Sequence, residues 1–325
     1  MEEFKAQRAI RSFRGTSPAG PGAIFPLLCP VREYEWVPGW VCDLVYAPSG
    51  FGETGGVFLT DFEDSGPMTW VITKRDAEEK CFHALIKAGG NFLVKLEVKV
   101  EGNLDGTSIL DWTRTLTGLT PRGNAMIAQQ TDEAYRESME KLTRELNHYL
   151  VAGRMLDGPG RVSRRPGLVR PPETVVRKEW STVFFSPAAP GRVFPLLCPT
   201  REYEWIDDWD CRLIFSESGF AENNCVFTTD FPGEGPAVWA VSRYEPDRAI
   251  EFVLFYRDAW VLKFEIHLEE APGGTRVEWR HIHTGLSPEG NSYLEGLTRG
   301  HFKAEVDLLE KMINHFLTSG DMLKR

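Results

Sequence analysis

Two histidines two residues apart, His281 and His283, lie in the run Val277-Glu278-Trp279-Arg280-His281-Ile282-His283. Side chains alternate along a strand, so Val277, Trp279, His281 and His283 share one face. Two imidazoles on one face can ligate a metal, exchange protons, or anchor a ligand. Metal ligation needs a third ligand, and no cysteine pair has the close Cys-x-x-Cys spacing of a zinc knuckle. No metal and no cofactor is therefore expected, and a polar rim near a strand end is the plain structural reading. If the imidazoles anchor an anion, binding should weaken as pH rises through about 6.5, their ordinary pKa.

A second copy of the sequence sets these residues in context. Phe25-Pro26-Leu27-Leu28-Cys29-Pro30-Val31-Arg32-Glu33-Tyr34-Glu35-Trp36 returns as Phe194-Pro195-Leu196-Leu197-Cys198-Pro199-Thr200-Arg201-Glu202-Tyr203-Glu204-Trp205. The chain holds one domain twice. The offset is 169 residues at Cys29 and Cys198, 168 at Lys95 and Lys263, and 167 at Gly118 and Gly285. Two single-residue deletions in turns account for the drift, and strand register survives them. In this alignment Trp112, Arg114 and Leu116 stand where Trp279, His281 and His283 do, and Phe92 and Leu96 stand where Trp260 and Phe264 do. The candidate ligand-binding residues are therefore His281, His283, Trp279, Trp260 and Phe264 in the second copy, with Arg114 and Trp112 in the first. Bulkier rings and titratable groups point to the second copy as the specific or catalytic pocket, with the first as a looser or structural partner.

Other recurring residues have plainer readings. Arg32/Arg201, Glu33/Glu202 and Glu35/Glu204 suggest arginine–glutamate pairing near short helices. Cys29 and Cys198 have no histidine close in sequence to act as a base and read as buried thiols. His148 and His315 fall in the last turn of a helix, where a cation suits the dipole. No phosphate-binding glycine loop, serine elbow or paired zinc motif is present.

These residues need strands and one long helix to position them. Opening strands are predicted at 8–15 and 180–186, then two short helices interrupted by prolines, which lack an amide hydrogen. Strands follow at 56–62 and 225–231, around Trp70 and Trp239, and at 80–87 and 249–256. In the next, Trp260, Leu262, Phe264, Ile266 and Leu268 alternate with Val261, Lys263, Glu265 and His267. That pattern predicts an antiparallel sheet with one covered face and one charged, solvated face. Asp105-Gly106 and Gly273-Gly274 read as hairpin turns leading to strands 107–117 and 275–284. Long helices are predicted at 124–151 and 291–318, with apolar stripes Tyr135, Met139, Leu142, Leu146, Tyr149 and Phe302, Val306, Leu309, Ile313, Phe316. Asn124 and Asn291 sit where an N-cap would be useful.

The 325 residues carry a formal net charge of -10, with 42% hydrophobic and 12% aromatic residues. That suffices for two packed domains and argues against binding nucleic acid, which needs a basic face. No apolar run reaches the length of a membrane span. The start Met1-Glu2-Glu3-Phe4-Lys5 lacks a signal-peptide pattern, so a cytoplasmic location is expected. Six cysteines without close spacing fit a reducing compartment. Residues 1–152 are expected to form the first domain, 153–174 a glycine-, proline- and arginine-containing linker, and 175–325 the second domain.

The order strand, two short helices, about six antiparallel strands and a long helix, opened by Phe-Pro-Leu-Leu-Cys-Pro-x-Arg-Glu-Tyr-Glu-Trp and closed by Thr-Gly-Leu-Thr/Ser-Pro-x-Gly-Asn, resembles the START-like SRPBCC superfamily. That resemblance covers nearly the whole chain in two copies. It implies an α+β fold of two tandem helix-grip domains, each a curved antiparallel sheet wrapped around a long C-terminal helix with two short helices. It further implies an apolar cavity in each domain for a hydrophobic or amphipathic small molecule, such as a lipid or polyketide. The alternatives within the resemblance are a polyketide cyclase or aromatase and a co-chaperone-like interaction module. Neither a catalytic set nor an oligomeric state follows from the resemblance.

Overall fold

The computed structural model describes residues 4–62, 66–156, 174–231 and 235–324. Most of the expected linker, 157–173, lies outside the described residues. The chain divides into two compact units, Met1–Glu173 and Thr174–Arg325.

The first unit contains β1 (Arg8–Ser17), β2 (Cys42–Tyr46), β3 (Val57–Phe62), β4 (Gly66–Asp76), β5 (Cys81–Ala88), β6 (Phe92–Gly102) and β7 (Ser108–Gly118). They form one seven-stranded sheet in the order β1-β7-β6-β5-β4-β3-β2, antiparallel throughout. The second unit repeats it with β8 (Arg177–Ser186), β9 (Cys211–Phe215), β10 (Val226–Phe231), β11 (Gly235–Glu245), β12 (Ala249–Tyr256), β13 (Trp260–Ala271) and β14 (Gly274–Gly285). Register slips between Ile72 and Lys74 in β4 and between Val241 and Arg243 in β11. An extra residue there bends the strand, which curves the sheet at the same point in both units.

Between β1 and β2 lie α1 (Pro21–Ile24) and single 3-10 turns at Phe25–Leu27 and Glu33–Glu35. The second unit has α4 (Pro190–Val193), a 3-10 turn at Phe194–Leu197 and α5 (Pro199–Glu202). Tryptophan N–H groups hold these turns: Trp36 donates to the Leu27 carbonyl oxygen at 3.0 Å and Trp40 to that of Pro30 at 2.8 Å. Trp205 and Trp209 repeat both bonds, to Leu196 and Pro199. Cys29 and Cys198 are buried acceptors, each taking a backbone N–H at 3.0 Å, from Gly52 and Ala221. The repeated stretch is thus a structural corner, and all six cysteines are free thiols.

The closing helices differ from expectation. Each is two segments, α2 (Pro121–Gln129) and α3 (Asp132–Ala152) in the first unit, α6 (Pro288–Gly296) and α7 (Arg299–Ser319) in the second. The caps are Thr120, Thr131, Ser287 and Thr298, whose side-chain oxygens accept backbone N–H bonds. Asn124 and Asn291 lie inside α2 and α6 and clasp the approach to the edge strand. Asn124 accepts from the Gln7 N–H and donates to the Lys5 carbonyl oxygen, both at 2.9 Å. Asn291 does the same with Val176 and Thr174, at 2.9 and 2.6 Å. Glycine is needed around the clasp: a Cβ on Gly118 or Gly285 would stand 2.0 Å from the asparagine Oδ1. The apolar stripes behave as expected, with Tyr135, Met139 and Leu146 buried on α3 and Phe302, Val306 and Ile313 on α7.

The outward row of β13 is solvated only towards its end, at His267 and Glu269, and is covered before that. Lys263 is 3% exposed and Glu265 8%. Lys263 Nζ pairs with Glu251 at 2.6 Å and also with Glu265, and Arg280 reaches Glu265 at 2.9 Å. Period-two alternation fixes which residues face outward and says nothing of what then covers them.

The clasp yields a test. Asn291→Ala removes two hydrogen bonds to backbone that must be satisfied, so unfolding of the second unit should lose about 1–3 kcal/mol in urea denaturation. Asn291→Asp, which keeps only the acceptor, should fall between.

Candidate functional site

The inward rows of β13 and β14 meet α7 around a cavity of about 1100 Å³ in the second unit. Trp260, Phe264, Trp279, His281 and His283 all line it, so the structure brings together the five residues expected from that copy. β13 and β14 pair with Phe264 opposite His281 and Leu262 opposite His283. Arg114 and Trp112 occupy the matching inward row of β7 in the first unit, where Leu96 lies opposite Arg114 and Val98 opposite Trp112.

His281 is held on every side by rings. Phe264 lies edge-on at 4.7 Å, Phe302 at 5.0 Å and His283 at 5.6 Å between centroids. The Trp279 indole N–H donates to His281 Nε2 at 3.1 Å, leaving the imidazole proton on Nδ1. His283 packs between Trp260 at 5.5 Å and Trp180 at 5.9 Å, and its buried Nδ1 has no hydrogen-bond partner among the described residues. Burial and the neighbouring His283 hold the His281 pKa well below the ordinary 6.5. Burial lowers that of His283 to about 4. Both are neutral at neutral pH, so neither is a cationic anchor. A loss of anion binding through pH 6.5 is therefore not expected from these two groups. The cause is desolvation of the charged form, with no carboxylate placed to offset it.

Four parts of the cavity were not singled out from sequence. Trp180, inward on β8 and directly opposite His281, stacks with Phe302 at 5.9 Å. Strand parity would have placed it in the inward row. Tyr293 lines the cavity, its ring 5.3 Å from that of Trp260, which Tyr256 stacks behind at 5.2 Å without lining the cavity itself. Glu202 lines the cavity, and burial pushes its carboxyl up to about 8. Of the two glutamates expected to pair with arginine, Glu204 takes Arg201, at 2.7 and 2.8 Å. A spacing of three brings Arg201 and Glu204 together on one face of the turn. Finally Asp207, Asp208, Asp210, Asp230 and Glu305 give the cavity an acidic border. No group of three or more histidine, cysteine, aspartate or glutamate side chains among the described residues is placed to hold a metal.

No family model matches the sequence, and no curated protein does. Similar solved structures include the di-domain ARO/CYC protein BexL from the BE-7585A biosynthetic pathway, at 12% identity over 98% of this chain and 100% of that one, with a TM-score of 0.34. The di-domain ARO/CYC protein StfQ from the steffimycin biosynthetic pathway is similar at 15% identity over 94% and 96%, with a TM-score of 0.31. Ara h 8.0201 is similar at 16% identity over 45% of this chain and 99% of its own, with a TM-score of 0.34.

The buried imidazoles predict acid sensitivity. His283 binds a proton more readily unfolded than folded, so its contribution is complete above pH 6.5. It is lost progressively as pH falls towards 4, and the loss amounts to about 3 kcal/mol. His283→Leu, the residue at this position in the first copy, should flatten that part of the stability profile, measured by denaturation between pH 7 and pH 4.

Proposed function

We propose that the second unit binds a neutral hydrophobic small molecule bearing flat rings, of the lipid or polyketide kind. The observation that carries this is the cavity of about 1100 Å³ whose walls are Trp180, Trp260, Phe264, Trp279 and Phe302, with two imidazoles kept neutral by burial. Concave, mostly apolar sites with a few polar groups are where small molecules bind. Ring walls favour a flat partner through offset stacking. The acidic border repels anions and admits neutral ligands. In the first unit the same reading places a ligand against Trp112 and Arg114. A cytoplasmic site of action goes with it, since six free thiols suit a reducing compartment. The net charge of -10 speaks against a nucleic-acid partner. Among the described residues no helix is long and apolar enough to cross a membrane.

The test uses the neutral carbonyl probe 2-acetylnaphthalene, followed by tryptophan fluorescence and native mass spectrometry. Trp260→Ala and Phe264→Ala should each weaken binding about ten-fold or more, because a buried aromatic contact is worth about 1.5–3 kcal/mol. Wild-type affinity in both variants would remove the cavity from the reading.

Glu202 favours a second reading, an enzyme that closes rings in a polyketide-like chain. A carboxyl raised to about 8 is protonated at neutral pH and can donate to a substrate carbonyl. The cavity also holds the unpartnered Nδ1 of His283. If Glu202 donates to a bound carbonyl, affinity for 2-acetylnaphthalene should fall as pH rises through about 8. Glu202→Gln, which keeps a donor and cannot ionise, should bind equally across that range. A wild type without any decline from pH 7 to pH 9 would take Glu202 out of the site.

A further inference from the structure

Three positions that meet in the second unit meet again in the first with opposite chemistry. In the second unit they are Trp180, His281 and Phe302, all uncharged. In the first they are Arg11, Arg114 and Tyr135. β1 and β7 pair with Arg11 directly opposite Arg114. The Arg114 guanidinium lies 5.4 Å from the centre of the Tyr135 ring on α3.

The exchange reverses the hydrogen-bond logic of the site. The Trp279 indole donates to His281 Nε2. Trp112 stands at the matching place, but two residues on is Arg114, a side chain with five donors and no acceptor. The Trp112 Nε1 and the Tyr135 hydroxyl are buried without a hydrogen-bond partner among the described residues. Arg114 makes no side-chain hydrogen bond or ion pair among the described residues, and its guanidinium lies over the Tyr135 ring. Arg11 Nε faces Asp132 Oδ1 at 3.2 Å as an ion pair without a hydrogen bond, Nη2 donates to the Gln130 carbonyl oxygen, and the buried Nη1 has no hydrogen-bond partner among the described residues. Asp132 itself faces solvent, its side chain 92% exposed. Like charges directly opposite across strands destabilise a sheet, and buried donors without acceptors cost more. Burial also disfavours the charge on Arg114. Each feature is unfavourable alone, and an acceptor with negative charge would relieve all of them together.

We propose that the first unit binds the carboxylate or equivalent oxyanion of an amphipathic ligand, held by Arg114 and Arg11 with Tyr135 and Trp112 as further donors. The apolar body of that ligand would lie along Leu96 and Leu116, the residues opposite and next inward from Arg114. The borders agree with this assignment. The second-unit run Ile206-Asp207-Asp208-Trp209-Asp210 is Val37-Pro38-Gly39-Trp40-Val41 in the first, and Glu305 is Ser138. The first unit keeps Asp61 where the second has Asp230 but lacks the other four acidic residues, which would repel an anion. The two units thus divide ligands by charge, and the assignment does not rest on what the second unit binds.

Full-length protein carrying Trp260→Ala, to weaken the second cavity, is titrated with 2-naphthoate and its neutral analogue 2-naphthamide, followed by fluorescence and thermal stabilisation. The naphthoate should bind at least about ten-fold more tightly than the amide, the factor expected from one hydrogen bond to a charged group. Arg114→Met and Arg11→Met should each lose that preference, while Arg114→Lys retains most of it. Tyr135→Phe should weaken naphthoate alone, and it serves as the readout if an arginine variant does not fold. Equal binding of acid and amide by the parent, no binding of the acid, or undiminished preference in Arg114→Met or in Tyr135→Phe would overturn the proposal. Loss of 2-acetylnaphthalene binding in Trp260→Ala concerns the second cavity only, so the two readings fail separately.

Discussion

Each unit depends on the antiparallel pairing of its first strand with its last. β1 pairs with β7 and β8 with β14 over ten residue pairs, joining positions about a hundred residues apart. That pairing brings the outermost strand under the long helix, and the asparagine clasp ties the approach to that strand to the helix just before it. The inward residues of the two paired strands and the first turns of the long helix then face one another. Whatever the chain places at those positions becomes a site, because no other element separates them.

The same constraint explains why two copies of one fold carry different interiors. The corner built on Trp36 and Trp205, the glycines beside the clasp and the bulges in β4 and β11 are backbone devices, and they recur because the curved sheet needs them. The inward side chains are under no such demand. Where the second unit has Tyr256, Trp260, Phe264 and Tyr293, the first has Ala88, Phe92, Leu96 and Met126. Aromatic stacking in one unit and guanidinium charge in the other are compatible with one backbone, since a side chain standing off a sheet does not alter its register.

Burial governs the electrostatics of both interiors. The imidazoles of His281 and His283 stay neutral and the carboxyl of Glu202 stays protonated for one reason: each charged form would lose water with little or nothing in return. Glu35 shows the contrary case, where the Arg32 guanidinium at 2.8 and 2.9 Å holds its carboxyl down to about 2. Arg114 cannot escape by losing its proton, as arginine stays charged in proteins. That difference between histidine and arginine at one position leaves a neutral group in one interior and a fixed positive charge in the other.

The duplication, the strand faces and the apolar helix stripes were legible in the sequence, because periods of two and near four are local properties of the backbone. Strand parity named five residues that share inward rows, while the cavity they line was implied only by the family resemblance. The break between α2 and α3 escaped, since Gln130 and Thr131 interrupt a helix without proline or glycine to mark the spot. So did the work of Asn124 and Asn291, whose partners lie 117 and 119 residues away for the one and 115 and 117 for the other. Protonation states were likewise settled only in three dimensions. Sequence names the ionisable group, while its pKa is set by how much water and which charges the fold leaves beside it.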